Sequence, residues 1–84
     1  MDVHLYTIPG CGYCVKVKEL FNRAGIIDYE ETVVGGPTMT SGDFKEKFPY
    51  VEGFPHTTID GEEFNGLYPL IKYFVDRGLV SSKK

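Results

Sequence analysis

Residues 5–14 read LYTIPGCGYC, and in this stretch a short strand ends and a helix begins. Strand-forming residues predominate over residues 2–8 and alternate between two faces. The Pro-Gly pair that follows ends the strand. Apolar residues then recur at helical spacing as far as Gly25, which predicts a helix over residues 12–24.

The rest of the chain predicts three more strands and two more helices. The further strands are expected at residues 28–34, at 57–60 and at 63–64, and the further helices at 43–48 and 67–77. Asp60-Gly61 is a hairpin turn signal, Ser41 or Asp43 is the expected cap of the short helix, and residues 81–84 form a polar tail. The order β-α-β-α-β-β-α predicts an α/β fold with a four-stranded mixed sheet flanked by three helices, opening with a parallel strand pair.

Composition and charge narrow the class of protein. The chain has 84 residues, of which 42% are hydrophobic, and we expect one domain over residues 1–84. A formal net charge of −3 argues against a nucleic-acid-binding protein, which needs a basic face. No apolar run approaches the roughly 18 residues that span a bilayer, and the first residues lack a secretory signal pattern. These features predict a cytoplasmic protein without a membrane span, and since no long apolar stripe is left over, a monomer.

Two cysteines, Cys11 and Cys14, carry the candidate chemistry. Two cysteines are too few for the disulfide framework of a small secreted domain, so the pair indicates redox chemistry or metal binding. At the start of a helix, unpaired amides and the helix dipole favour a thiolate. We therefore expect Cys11 to be the nucleophile and Cys14, one turn later, to resolve the mixed disulfide. A zinc site completed by His4 and His56 is disfavoured by the spacing.

Three segments resemble the glutaredoxins of the thioredoxin-fold superfamily. Residues 5–14 resemble the end of their first strand and their active-site motif, usually Cys-Pro-Tyr-Cys, and residues 54–61, FPHTTIDG, resemble their Val-Pro-Gln-x-Phe-Ile-x-Gly segment. Residues 64–66 resemble the Ile-Gly-Gly that follows. The resemblance implies a dithiol oxidoreductase that uses glutathione as reductant and has no tightly bound cofactor. Its substrates would be glutathione mixed disulfides and disulfide-containing proteins such as ribonucleotide reductase.

The resemblance also implies the remaining site residues. The proline of the second segment is cis in the family, which places Pro55 beside the cysteine pair. The implied glutathione-binding residues are Tyr13, Phe54, Pro55, Gly66, Leu67 and Tyr68.

Three departures from the family pattern leave alternatives open. Gly12 replaces the usual proline between the cysteines, and some glutaredoxins with glycine there hold a [2Fe–2S] cluster between two subunits, for which Cys11 and glutathione would be ligands. Ile8 stands where the family commonly has a lysine that pairs with a glutathione carboxylate. Lys16, Lys18 or Lys45 would have to take over that role. Tyr68 replaces an acidic residue that contacts the glutathione ammonium. The lost contacts suggest a second alternative, a redoxin reduced directly by thioredoxin reductase. The small size fits a bacterial protein or a virus-encoded one acting in the host cytoplasm.

The other polar residues have simpler interpretations. His56 is expected to be a surface residue of its strand rather than a general base. Glu30 and Glu31 are expected to lie on a solvated face.

Overall fold

A computed structural model describes residues 2–51 and 53–80, so the predicted tail at residues 81–84 lies outside the described residues. Four strands form one sheet in the order β2-β1-β3-β4. The strands are β1 (Val3–Thr7), β2 (Glu30–Val33), β3 (His56–Ile59) and β4 (Glu62–Asn65). The helices are α1 (Gly12–Arg23), α2 (Ser41–Lys47) and α3 (Tyr68–Asp76). The predicted element order and the mixed four-stranded sheet are confirmed.

The pairing of the strands places the carboxyl end of β1 in the middle of the sheet. β1 pairs in parallel with β2, to which α1 connects it, and antiparallel with β3, while β3 and β4 form an antiparallel hairpin. Asp60 and Gly61 at the hairpin turn both have positive φ, 51° and 87°, as a two-residue turn of this hand requires. The first residues of α1 therefore begin beside the central strands.

The alternation along β1 separates two apolar clusters on opposite faces of the sheet. Leu5 belongs to the cluster under α1 and α3, which also contains the fully buried Phe21 and Phe74. Tyr6, the next residue, packs on the other face against α2, where Phe44 and Phe48 cover it. Because both faces are covered near β1, the strand that leads into the cysteine pair is held from both sides.

The start of α2 corrects one sequence prediction. Thr40, and not Ser41 or Asp43, is the N-cap. Its hydroxyl accepts the amide N–H of Asp43 at 3.0 Å, and the Asp43 carboxylate accepts the amide N–H of Thr40 at 3.2 Å. Asp43 is thus the third helical residue of a reciprocal capping box, which satisfies two unpaired donors at once.

His56 corrects another, because it is buried rather than on the surface. Its side chain packs against the ring of Phe48, at 4.7 Å between centroids, and its Nε2 lies 3.3 Å from Oε1 of Glu63. Burial lowers the pKa of His56, and the nearby Glu63 carboxylate opposes that effect. The imidazole is therefore neutral at neutral pH and belongs to the α2 side of the sheet.

No helix within residues 2–51 and 53–80 combines the length and the apolar character that crossing a bilayer would need.

Candidate active site

The cysteine pair lies at the start of α1, just after the short loop that follows β1. Gly10 has a φ of 73°, a conformation that glycine adopts without strain, and it turns the chain so that Cys11 becomes the N-cap of α1. The Cys11 side chain takes the place that a serine or aspartate usually fills: its Sγ accepts the backbone N–H of Cys14 at 3.1 Å. An amide that points at this sulfur stabilises negative charge on it.

The two sulfurs differ in accessibility. Cys11 is partly exposed, whereas Cys14 is buried at 3% relative accessibility, and neither is in a disulfide. Burial, followed by the interaction with the Cys11 side chain, raises the pKa of Cys14 to about 11. At neutral pH the inner sulfur is therefore a protonated thiol, and the outer sulfur is the one that a substrate can reach.

A cleft of about 500 Å³ opens on the β2 side of the cysteine pair. Both cysteines line it together with Lys18 and Glu31. The Nζ of Lys18 lies 2.8 Å from Oε2 of Glu31, and the same oxygen accepts the Thr7 hydroxyl at 2.9 Å. This chain of contacts joins α1, β2 and β1 in the lining of the cleft.

A second, smaller groove of about 190 Å³ lies beside the start of α3. Its lining consists of Tyr13, Phe54, Pro55, Gly66, Leu67 and Tyr68. These are the six residues for which the family resemblance implied glutathione contacts, and the structure brings all six together from three separate segments. The Phe54–Pro55 peptide bond is cis, as the resemblance implied.

Sequence comparison identifies the family. The glutaredoxin family model matches residues 3–64, a stretch that runs from β1 to β4 and includes both cysteines. The chain belongs to the glutaredoxin family. It is accordingly a thiol–disulfide oxidoreductase of the dithiol type. None of the curated proteins searched gave a significant match.

Solved structures share the thioredoxin-like fold of this glutaredoxin. Glutaredoxin 1 from Francisella tularensis, complexed with cacodylate, is 24% identical with a TM-score of 0.68, and the match covers 93% of this chain and 95% of that one. The thioredoxin-like protein BC3987 is 26% identical with a TM-score of 0.66, over 94% of this chain and all of that one (100%). A buckwheat glutaredoxin–glutathione complex is 20% identical with a TM-score of 0.68, over 93% of this chain and 72% of that one. The predicted fold class is confirmed.

Within one chain, the described residues provide no group of ligands for the metal sites that the sequence left open. Among residues 2–51 and 53–80 of this glutaredoxin, no three His, Cys, Asp or Glu side chains converge where they could hold a metal ion. His4 contacts Thr32 on β2 and His56 packs under α2, so neither completes a site with the cysteines. A cluster shared between two subunits stays a prediction.

Sequence reasoning missed the Lys18–Glu31 pair. Glu31 lies on an exposed strand, as expected, but its side chain, 28% exposed, also contacts Lys18 and Thr7. The signal in the sequence was the spacing of Cys14 and Lys18, which are four residues apart and hence on one face of α1. The partner on β2 depends on sheet pairing, which that spacing does not reveal.

Glu31 should make part of the stability of this glutaredoxin depend on pH. Burial raises the pKa of Glu31, but the hydrogen bonds from Lys18 and Thr7 and the nearby ammonium outweigh burial, so the folded value lies below 4.5. Its contribution is complete above 4.5 and is lost as the pH falls through the lower folded value. We expect Glu31→Gln to cost about 0.5–1 kcal/mol at neutral pH.

Urea titrations of both proteins across the acid range measure this difference, which should shrink as the pH falls. Glu62→Gln, at an exposed position of β4, is the matched control and should leave the pH profile unchanged. A difference that stays constant down to strongly acidic pH would show that the Glu31 charge does not matter.

Proposed function

We propose that this glutaredoxin uses glutathione to reduce glutathione mixed disulfides and protein disulfides, with Cys11 as nucleophile and Cys14 as resolving residue. The supporting observation is the small groove: the six residues implied by the resemblance line one cavity that starts at Tyr13, between the two cysteines. A tripeptide bound there would present its sulfur to Cys11.

The groove is better suited to the peptide backbone of glutathione than to its charged groups. All six lining residues are uncharged, and aromatic rings provide much of the surface. A negative group has one recognition element, the start of α3. Among the residues that the structure describes, no side chain caps this helix, so the amide of Tyr68 at its first position can receive a carboxylate.

With a glutathione mixed disulfide, the Cys11 thiolate attacks the glutathione sulfur. A bond forms between Cys11 and glutathione, the original S–S bond breaks, and the protein substrate leaves as a thiolate that takes a proton. A second glutathione thiolate then attacks the bound glutathione sulfur. This step yields glutathione disulfide and restores the Cys11 thiolate.

With a protein disulfide, Cys14 completes the reaction. Attack by Cys11 leaves one substrate sulfur bound and the other free. Two of the causes that raise the pKa of Cys14, its interaction with the Cys11 side chain and the Cys11 charge, disappear once Cys11 is in the mixed disulfide. Cys14 then ionises more readily, attacks Cys11 Sγ and releases the second substrate thiol. Two glutathione molecules reduce the resulting disulfide.

The reductant is tested by turnover with a glutathionylated peptide. We expect NADPH, glutathione reductase and glutathione to support turnover, and NADPH with thioredoxin reductase to support little. Turnover with thioredoxin reductase alone would contradict glutathione dependence and favour the redoxin alternative. Oxidised ribonucleotide reductase, the partner implied by the resemblance, serves as a protein substrate in the same assay.

A visible absorption spectrum after anaerobic reconstitution tests the [2Fe–2S] alternative.

The groove itself is tested by Tyr68→Ala. Tyr68 is 71% exposed when the groove is empty, so its removal should cost little stability. Loss of its ring contact should raise KM for the glutathionylated peptide about three- to tenfold with little change in kcat. Tyr50→Ala is the matched control, because Tyr50 is similarly exposed at 65% and lies outside the groove. An unchanged KM for Tyr68→Ala would place glutathione elsewhere.

A further inference from the structure

The cleft on the β2 side contains charged groups that have no role in the reaction proposed above. Cys14 and Lys18 lie one helical turn apart on the same face of α1, and both line this cleft. The other lysine of that part of the helix, Lys16, is exposed and lies outside the cleft. Lys18 is thus the α1 lysine directed to the same side of the helix as the inner sulfur.

Two strands fix the position of the Lys18 ammonium. Its Nζ lies 2.8 Å from Oε2 of Glu31 on β2, and Thr7 on β1 donates to the same oxygen at 2.9 Å. A lysine has a long flexible side chain, and without a partner it would sample many rotamers in solvent. The carboxylate, itself oriented by Thr7, holds the ammonium in the lining of the cleft.

The Lys18–Glu31 pair belongs to the set of charges that surrounds Cys14. The titratable groups that share the cleft with Cys14 are Cys11 and Lys18 from α1 and Glu31 from β2, and β1 adds the neutral Thr7. Burial and the Cys11 side chain raise the pKa of Cys14, whereas a backbone hydrogen bond with Ile8 and, to a smaller extent, the Lys18 charge lower it. Among the side chains of the cleft, Lys18 is the one that favours the thiolate form of Cys14.

We propose that Lys18, held by Glu31 and Thr7, stabilises the thiolate that forms on Cys14 when Cys14 closes the disulfide with Cys11. In this step the Cys14 thiol loses its proton to solvent and its sulfur attacks Cys11 Sγ. The bond between Cys11 and the substrate sulfur breaks, and the substrate leaves as a thiolate. The cysteine pair is oxidised and the substrate sulfur is reduced. Lys18 and Glu31 act through Cys14 and are positioning residues; the proposal rests on the order of the two cysteines proposed above.

The test separates the two bond-forming steps with dithiodipyridine, an uncharged aromatic disulfide. Attack by Cys11 releases one thiopyridone in a first phase, and closure by Cys14 releases the second. Wild type, Lys18→Ala and Lys18→Arg are compared by stopped-flow absorbance from mildly acidic to alkaline pH. Lys16→Ala, an exposed lysine on the same helix, controls for the change in net charge.

We expect Lys18→Ala to slow the second phase about five- to tenfold at neutral pH and to leave the first phase unchanged. The deficit should shrink at alkaline pH, where Cys14 ionises without help. Lys18→Arg keeps a cation beside Glu31 and should stay within about twofold of wild type. A loss of packing alone would not give a deficit that depends on pH and that arginine restores.

Three results would overturn the proposal: a second phase in Lys18→Ala as fast as in wild type, an equal slowing in Lys16→Ala, or no rescue by arginine. Failure of the proposed function is recognised separately with Cys11→Ser and Cys14→Ser. If the first phase persists in Cys11→Ser and is absent from Cys14→Ser, then the order of the cysteines is wrong, whatever the lysine variants show.

Discussion

The Cys11→Ser variant is expected to lose reduction of both glutathione mixed disulfides and protein disulfides, by about a thousandfold or more in kcat/KM. A serine hydroxyl is not ionised at neutral pH and cannot form the mixed disulfide through which both reactions pass. The hydrogen bond from the Cys14 amide can be kept by the serine oxygen, which is itself a good N-cap, so α1 should remain intact. The loss would therefore report chemistry and not unfolding.

Cys14→Ser is the matched variant for the first prediction. It keeps Cys11 and the groove beside α3, so removal of glutathione from a glutathionylated peptide should continue. Release of a protein substrate from its mixed disulfide should stop, because no inner sulfur is present to attack. Both activities are measured with the glutathione-coupled assay. Substantial mixed-disulfide reduction by Cys11→Ser would contradict the assignment.

The Phe21→Ala variant should lose a large part of the stability of the fold. Phe21 is fully buried on α1, with its ring 4.8 Å from that of Tyr29 and 5.9 Å from that of Phe74. Truncation of such a phenylalanine typically costs about 3–5 kcal/mol through lost burial and the cavity left behind. A chain of this length has about 4–12 kcal/mol in total. We therefore expect a large decrease in the free energy of unfolding and a clearly lower urea midpoint.

Urea denaturation followed by circular dichroism measures this loss. Ile27→Ala is the control, because Ile27 is 81% exposed and its truncation should change the free energy of unfolding by less than about 0.5 kcal/mol. A cost below about 1 kcal/mol for Phe21→Ala would mean that α1 is not packed as described. Because α1 carries both cysteines, activity should fall with the folded fraction.

The elements around the cysteine pair could be predicted because their signals are local. Alternation along residues 2–8, the Pro-Gly break and the helical spacing that follows determine β1 and α1 without reference to the rest of the chain. The α2 cap was misplaced because Thr40, Ser41 and Asp43 all have capping chemistry. Only the reciprocal bonds of the capping box select Thr40.

The error at His56 and the missed contact of Glu31 have a tertiary cause. His56 pairs with Tyr6 across the sheet and is covered by α2, and neither the register nor the helix placement can be deduced from a four-residue strand. The contact between Lys18 and Glu31 joins α1 to β2, and it depends on how the helix packs beside the sheet. The groove beside α3 is different again, since its residues come from distant segments and were found through family resemblance alone.

The central claim is that Cys11, with its sulfur at the amide end of α1, is the reacting thiolate while Cys14 remains a buried thiol. The most direct test treats the fully reduced wild type with a limiting amount of iodoacetamide at neutral pH and locates the label by peptide mass spectrometry. The account predicts that Cys11 is labelled almost alone, because the pKa of Cys14 is raised to about 11 by burial and by its neighbour. Labelling of Cys14 ahead of Cys11, or of both at equal rates, would contradict it.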